Sequence, residues 1–301
     1  MRIQSIQEKS SPAVFYSCLI AKMAVTALVD EAVLTPKPGL VDAATTGSHQ
    51  DMNIDTLLTS AYALQPTFSQ IALYSQGKQP SQMLREEIAR IGREGEQVMY
   101  AATNGVNTHK GAIWALGLLA SATAVCGIQA SPASITEAAG KIARYADRFS
   151  PLHSSNGLRV KKQYGAKGAA GEAKQGFPHV IHIGLPALHK ARKLGIHETS
   201  ARIDTLVTLI ANLDDTCILH RAGPGVLKEV KMEASNVLEA GGVSTSMGKQ
   251  RLEALDHILL SSNASPGGSA DLLAAVLFLD RISFFEESYL QGGVANGNVS
   301  V

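Results

Sequence analysis

A chain of 301 residues is long enough for one large domain or two of ordinary size, and an apolar content of 45% supports a sizeable core. Charged residues are few at 18%, aromatics make up 5%, and the formal net charge is +1, so there is no global signal for nucleic acid or an anionic membrane surface. This mixture suits alanine- and leucine-rich helices better than β-sandwiches, which need more β-branched and aromatic residues.

In chain order, apolar spacing predicts a first helix over 14–34, stopped where Pro36 and Pro38 arrive. Residues 35–55 read as a polar loop. Helix returns over 56–75, with Pro66 kinking or dividing it, and over 81–103 after Pro80-Ser81. A turn at Gly105 leads into an apolar helix over 110–126, and an amphipathic one follows over 134–148. Residues 150–176 hold five glycines among lysines and an arginine, and predict a mobile basic loop. Further helices are expected over 178–194, 198–213, 226–240, 246–260 and 269–289, with Gly241-Gly242 as a C-cap signal. Alternating strand-like runs are nearly absent. The expectation is an all-α fold: a single compact multi-helical domain over 1–290 with functional residues on inter-helix loops, then a flexible Gly/Asn/Ser-rich tail over 291–301.

Cys18, Cys126 and Cys217 are far apart and form no metal or disulfide pattern; Cys18 and Cys126 read as small core residues. Residues 1–10 lack the apolar stretch of a signal peptide, and no uninterrupted apolar run reaches the length of a bilayer span. A soluble, cytoplasmic protein is the expectation. His179 and His182 are three apart on a helix without a third ligand in view, and read as ordinary helix histidines. Trp114 reads as core, with adenine stacking as the other use of its ring.

Four polar segments stand out. In the first, two prolines and Gly39 fix the backbone around Lys37, and Asp42, His49 and Asp51 follow within short reach. That set suits either proton transfer and cation binding or a rigid turn with solvated charges. The second, Asn107-Thr108-His109-Lys110-Gly111, crowds polar groups at the start of a buried helix. It is either an anion site at the positive end of the helix dipole or an ordinary helix start. The third, over 168–178, lacks the glycine spacing of either standard nucleotide loop. The fourth pairs Asp214-Asp215-Thr216-Cys217 through Arg221-Ala222-Gly223 with Ser265-Pro266-Gly267-Gly268-Ser269-Ala270-Asp271. Its glycines expose N–H groups for an anion; otherwise Ser269 caps the last helix and Asp271 favours its first turn.

PKPGLVD, GSHQDM, GVNTHKGAI, GEAKQGFP, DDT…R and SPGGSADLL occur in this order, and together they resemble the triphosphoribosyl-dephospho-CoA synthases from about residue 23 to 282. The resemblance implies an all-helical transferase. It would move the triphosphoribosyl group of ATP to the ribose 2′-hydroxyl of 3′-dephospho-CoA, release adenine, and so make the prosthetic-group precursor of citrate lyase or malonate decarboxylase. A transfer protein or acyl carrier protein would stand downstream. The chain departs from the family pattern at Cys217, where asparagine is common, and at Ala222 and Val226, where glycines are common.

For that reaction, Lys37, Asn107, Thr108, His109, Lys110 and Arg221 are expected at the phosphates, with Gly267, Gly268 and Ser269. Asp214 and Asp215, and then Asp42 and Asp51, are the choices for a magnesium ion. Asp51 or Glu172 is the expected general base and His49 the proton donor. Two other readings use the same loops: a metal-dependent hydrolase of nucleotides or ADP-ribose-like glycosides, and an inactive nucleotide-binding helical protein.

Overall fold

Helix α1 (Pro12–Val33) begins where Ser11 Oγ accepts the Val14 N–H and Pro12 sits in the first turn, where its missing N–H costs nothing. The computed structural model to which it belongs describes residues 11–150 and 156–295. An 18-residue window within the 22 residues of α1 reaches a mean hydropathy of 1.7, so by length and composition the helix could cross a membrane, although Lys22 interrupts its apolar run. In the fold α1 packs against α2 (Ile54–Ala63), α3 (Gln65–Ser75), α5 (Lys110–Cys126) and α13 (Gly267–Ala295). Asn53 and Thr56 close a reciprocal capping box at the start of α2, and Pro66 in the first turn of α3 divides the two helices as expected.

Ser81 caps α4 (Gln82–Ala102), and Gly127 ends α5. Ser131 caps α6 (Pro132–Arg144), which stops four residues before its expected end. Helices α5 and α13 carry apolar residues on every face, and each packs against several others, so both run through the core. Cys18 and Cys126 are corrections, because both are exposed. The helical period turns Ser17, Ile20, Ala21 and Ala24 inward and leaves Cys18 outside, while Cys126 is the last residue of α5.

The expected basic loop over 150–176 is largely helical instead. Helices α7 (Asn156–Tyr164) and α8 (Gly168–Lys174) occupy it, and residues 151–155 lie outside the described ones. Packing overrides the low helix propensity of its glycines: Val160 and Ala173 enter the core, and Trp114 Nε1 donates to the Ala169 carbonyl. A π-helical turn (Val180–Gly184) precedes α9 (Leu185–Lys193), and α10 (Glu198–Asn212) follows. Helix α11 (Thr216–Glu239) starts ten residues before its expected beginning and breaks only at Gly223, whose φ of 79° is open to glycine, just before Pro224. Helix α12 (Ser246–Ser261) leads to α13, whose helical backbone reaches Ala295 within the stretch expected to be a tail; residues 296–301 are outside the described ones. No strand occurs among the described residues.

Candidate functional site

Three helix N-termini open into one cleft. Lys110 and Gly111 of α5, Thr216 and Cys217 of α11, and Gly267 of α13 all line it, and the loop between α1 and α2 supplies Lys37 and His49. The cleft encloses about 270 Å3. Helix N-termini carry partial positive charge, so their convergence favours an anion before any side chain is counted.

The loop is folded by its own polar groups. Asp42 Oδ2 accepts the Lys37 N–H at 2.9 Å, and its Oδ1 accepts the N–H groups of Ala44 and Thr45, each at 2.8 Å. Asp256 on α12 accepts the Gly39 N–H at 2.8 Å and docks the loop. Lys37, buried as a result, donates Nζ to the Glu31 carbonyl at 2.7 Å and to Glu31 Oε1 at 2.6 Å. A buried ammonium with a paired carboxylate is a charge the fold holds in place rather than one solvent can screen.

Histidines line the cleft in two arrangements. Arg221 Nη1 donates to the Ser48 carbonyl at 3.1 Å, and its Nη2 to His49 Nδ1 at 3.3 Å. That leaves the His49 proton on Nε2, 3.0 Å from Ser265 Oγ. Burial lowers the His49 pKa, as does the neighbouring Arg221 charge, and both favour this neutral ring. Thr108 Oγ1 donates to Ser60 Oγ at 2.7 Å, and Ser60 Oγ lies 2.8 Å from His109 Nδ1. The one Ser60 proton is then free to point at Nδ1, which puts the His109 proton on Nε2. Burial pushes the His109 pKa down to about 4, with the Lys37 charge adding to it, and Nε2 is buried with no partner. A neutral imidazole N–H without an acceptor inside a cleft is a donor waiting for a ligand.

Of the residues expected at the phosphates, Lys37, Asn107, Thr108, His109, Lys110, Arg221 and Gly267 come together here. Asn107 also accepts the Lys110 N–H, at 3.4 Å, and Lys110 Nζ lies 2.8 Å from Glu96. Arg221 was expected on a loop and instead sits on α11. Gly268 and Ser269 stand behind the wall, their N–H groups turned to Asp215.

The carboxylates are arranged differently from expectation. Asp215 caps two helices at once: it accepts the N–H groups of Cys217 (2.8 Å), Gly268 (3.3 Å) and Ser269 (2.8 Å) and the Ser269 hydroxyl (3.0 Å). Asp214 faces Lys231 Nζ at 2.8 Å with 69% of its side chain exposed, and does not line the cleft. Both oxygens of Asp42 are taken by the loop backbone. The residues chosen for magnesium therefore do not gather, and among the described residues no cluster of three or more His, Cys, Asp or Glu could hold a metal. Glu172 is buried against His179, accepting its N–H at 2.8 Å and facing its Nδ1 at 2.7 Å, away from the cleft lining. Asp51 lies 3.6 Å from His49 but is largely exposed and lines a separate, more open groove of about 410 Å3 with Asn53 and Asp55.

Asp271, read from sequence only as a first-turn residue, does line the cleft. So do Glu31 and Cys217. Burial, reinforced by Asp215 and Asp271, raises the Cys217 thiol well above its ordinary pKa and keeps it protonated. Ala222 and Val226 pack toward the core and do not line the cleft, so their methyl groups stay outside it. Trp114 is part-buried against the core with the Arg85 guanidinium 4.8 Å over its ring, and it does not line the cleft either.

Fold and site together define an all-helical protein with a cationic, helix-ended cleft for an anionic ligand. The chain belongs to the ATP:dephospho-CoA triphosphoribosyl transferase family, whose model matches residues 18–288. A 2-(5''-triphosphoribosyl)-3'-dephosphocoenzyme-A synthase from Klebsiella pneumoniae is 47% identical over 264 residues, covering 88% of this chain and 94% of the relative. A probable enzyme of the same name from Pseudomonas fluorescens (strain Pf0-1) is 47% identical over 274 residues, covering 91% and 94%. Another, from Pseudomonas putida, is 47% identical over 263 residues, covering 87% and 94%. No solved structure matches the chain. Family membership makes the chain a transferase.

Proposed function

We propose that this chain moves the 5-triphosphoribosyl group of ATP to the ribose 2′-hydroxyl of 3′-dephospho-CoA and releases adenine. The product would be the prosthetic-group precursor of citrate lyase or malonate decarboxylase, passed on to a transfer protein or acyl carrier protein. The observation that carries this reading is the unpartnered His109 Nε2 in a cleft where three helix N-termini meet Lys37, Lys110 and Arg221. A triphosphate supplies the acceptor that His109 Nε2 lacks, and negative charge for the helix N-termini, for Arg221 and for the remaining donors of the two ammonium groups, which are already paired to Glu31 and Glu96.

On this reading His109 and the ammonium groups hold phosphate oxygens, and the chain works as a positioning device. Arg221 keeps His49 neutral with a proton on Nε2, next to Ser265. Asp42, Asp214 and Asp215 do not fit a magnesium site, so a magnesium ion would enter as the counter-ion of the triphosphate, on its own phosphate oxygens. The reading places the reaction in the cytoplasm.

The test is adenine release from ATP with and without 3′-dephospho-CoA. The proposal requires release that depends on the acceptor. Equal release without it would mean hydrolysis, and nucleotide binding with no release would mean an inactive protein.

A further inference from the structure

The carboxylates of this cleft differ in what they already hold. Glu31 is tied to Lys37, and Asp215 accepts four donors. Asp271 stands apart. It lies in the first turns of α13 and lines the cleft opposite the start of α5. Its Oδ2 is so close to Gly111 that a Cβ added there would come within 1.9 Å of it. It accepts the Ala112 N–H, and the strongest neighbouring charges acting on it are the carboxylates of Glu31 and Asp215. Position 111 must be glycine for that carboxyl to fit, and a helix N–H fixes where it points. Independently, His109 Nε2 marks the same cleft as built for a ligand, since it is buried and unpartnered.

We infer that Asp271 is the catalytic base of this cleft, taking the proton of the attacking hydroxyl. This role rests on the transfer proposed above. In the step, the hydroxyl proton passes to Asp271 and the oxygen bonds to ribose C1′. The C1′–N bond breaks, its electron pair leaves with adenine, and adenine takes one proton from solvent. Asp271 returns its proton to solvent, so no net proton is consumed. The same carboxylate faces the positive charge that develops at C1′ as adenine departs, as carboxylates do in glycoside cleavage.

Burial, reinforced by Glu31 and Asp215, raises Asp271 well above the ordinary carboxylate range. A carboxylate whose surroundings disfavour its charge is a stronger proton acceptor than an ordinary one. The other groups facing this region are Lys37 and His49 on the loop, His109 and Lys110 at the start of α5, and Cys217, His220 and Arg221 on α11. Lys37 is paired to Glu31, Lys110 to Glu96, and the Cys217 thiol stays protonated.

The experiment compares the full chain with Asp271→Asn, whose amide oxygen can still accept the Ala112 N–H. It reads kcat for acceptor-dependent adenine release, ATP affinity by calorimetry, and the pH profile of kcat. The expected result is a loss in kcat of about 10²–10⁴-fold with ATP affinity retained. In the unaltered chain kcat should fall about tenfold per pH unit on the acid side, and D271N should lose that limb. Unchanged kcat in D271N overturns the role, as does weakened ATP binding with unchanged kcat. Should D271N fail to bind ATP at all, the profile of the unaltered chain decides, and a flat acid side overturns the role. If the unaltered chain shows no acceptor-dependent release, the transfer reading fails first and takes this role with it.

Discussion

Replacing Asp215 with alanine separates a structural carboxylate from a metal ligand. Asp215 is 1% exposed and accepts three backbone N–H groups and one hydroxyl from the starts of α11 and α13. Each buried donor left without a partner costs roughly 1–3 kcal/mol, and a lost helix cap about 1 kcal/mol. The terms overlap, and water can enter part of the space, so a total of about 4 kcal/mol is expected rather than the full sum. Burial raises the Asp215 pKa, so removing the carboxyl also relieves some desolvation, which is a further reason to take the lower figure. For a chain of this size that is a fall in Tm of about 8 °C. Thermal and urea unfolding at neutral pH, with and without magnesium, measure it. A loss under about 1 kcal/mol, or a magnesium-dependent stabilisation present in the unaltered chain and absent in D215A, would refute the double-cap account.

Lys37→Met leaves Glu31 buried without its cation, and should cost about 3–5 kcal/mol in urea unfolding; a neutral effect would mean that the pair is solvated. The His109 ring gives a pH signature. Its folded pKa is about 4, below the ordinary value of 6.5, so between these the unfolded chain binds a proton that the folded chain does not. Stability from this residue therefore rises with pH across that window and is lost as pH falls through it, by a total on the order of 3 kcal/mol. Comparing the unaltered chain with His109→Gln by urea unfolding at several pH values isolates the effect. Parallel stability curves would show that the ring is not buried neutral.

Much of the fold was legible because its helices announce themselves. Apolar spacing placed α1, α4, α5, α10 and α12 within a few residues, and Pro66 marked the division between α2 and α3. The failures share a cause. Glycines over 157–176 and at Gly223 argue locally for loop, yet α7, α8 and the first turns of α11 form because other elements pack on them, as Trp114 does on Ala169. Placing Arg221 on a loop was wrong for that reason, although its membership in the cleft does not depend on it.

The cations of the site were easier to read than its carboxylates. Lys37, His109 and Lys110 stand out by residue type beside prolines and helix starts. Spacing cannot reveal which carboxylate oxygens are already taken by backbone N–H groups. Asp42, Asp214, Asp215 and Glu172 therefore looked available, whereas each is engaged by its own neighbours. Asp271 passed for a first-turn residue. The signal that could have found it is Gly111, a glycine inside the first turn of an apolar helix where alanine is the better helix former. It makes room for a carboxylate from 160 residues further along the chain.

The most direct test of the account is mass spectrometry of the product formed from ATP and 3′-dephospho-CoA by the full chain. The account predicts one new species whose mass is the sum of the two substrates less adenine, with adenine released in equal amount and fragments that place the triphosphoribosyl group on the ribose hydroxyl. Free triphosphoribose in place of that adduct, or both substrates recovered intact, would contradict it.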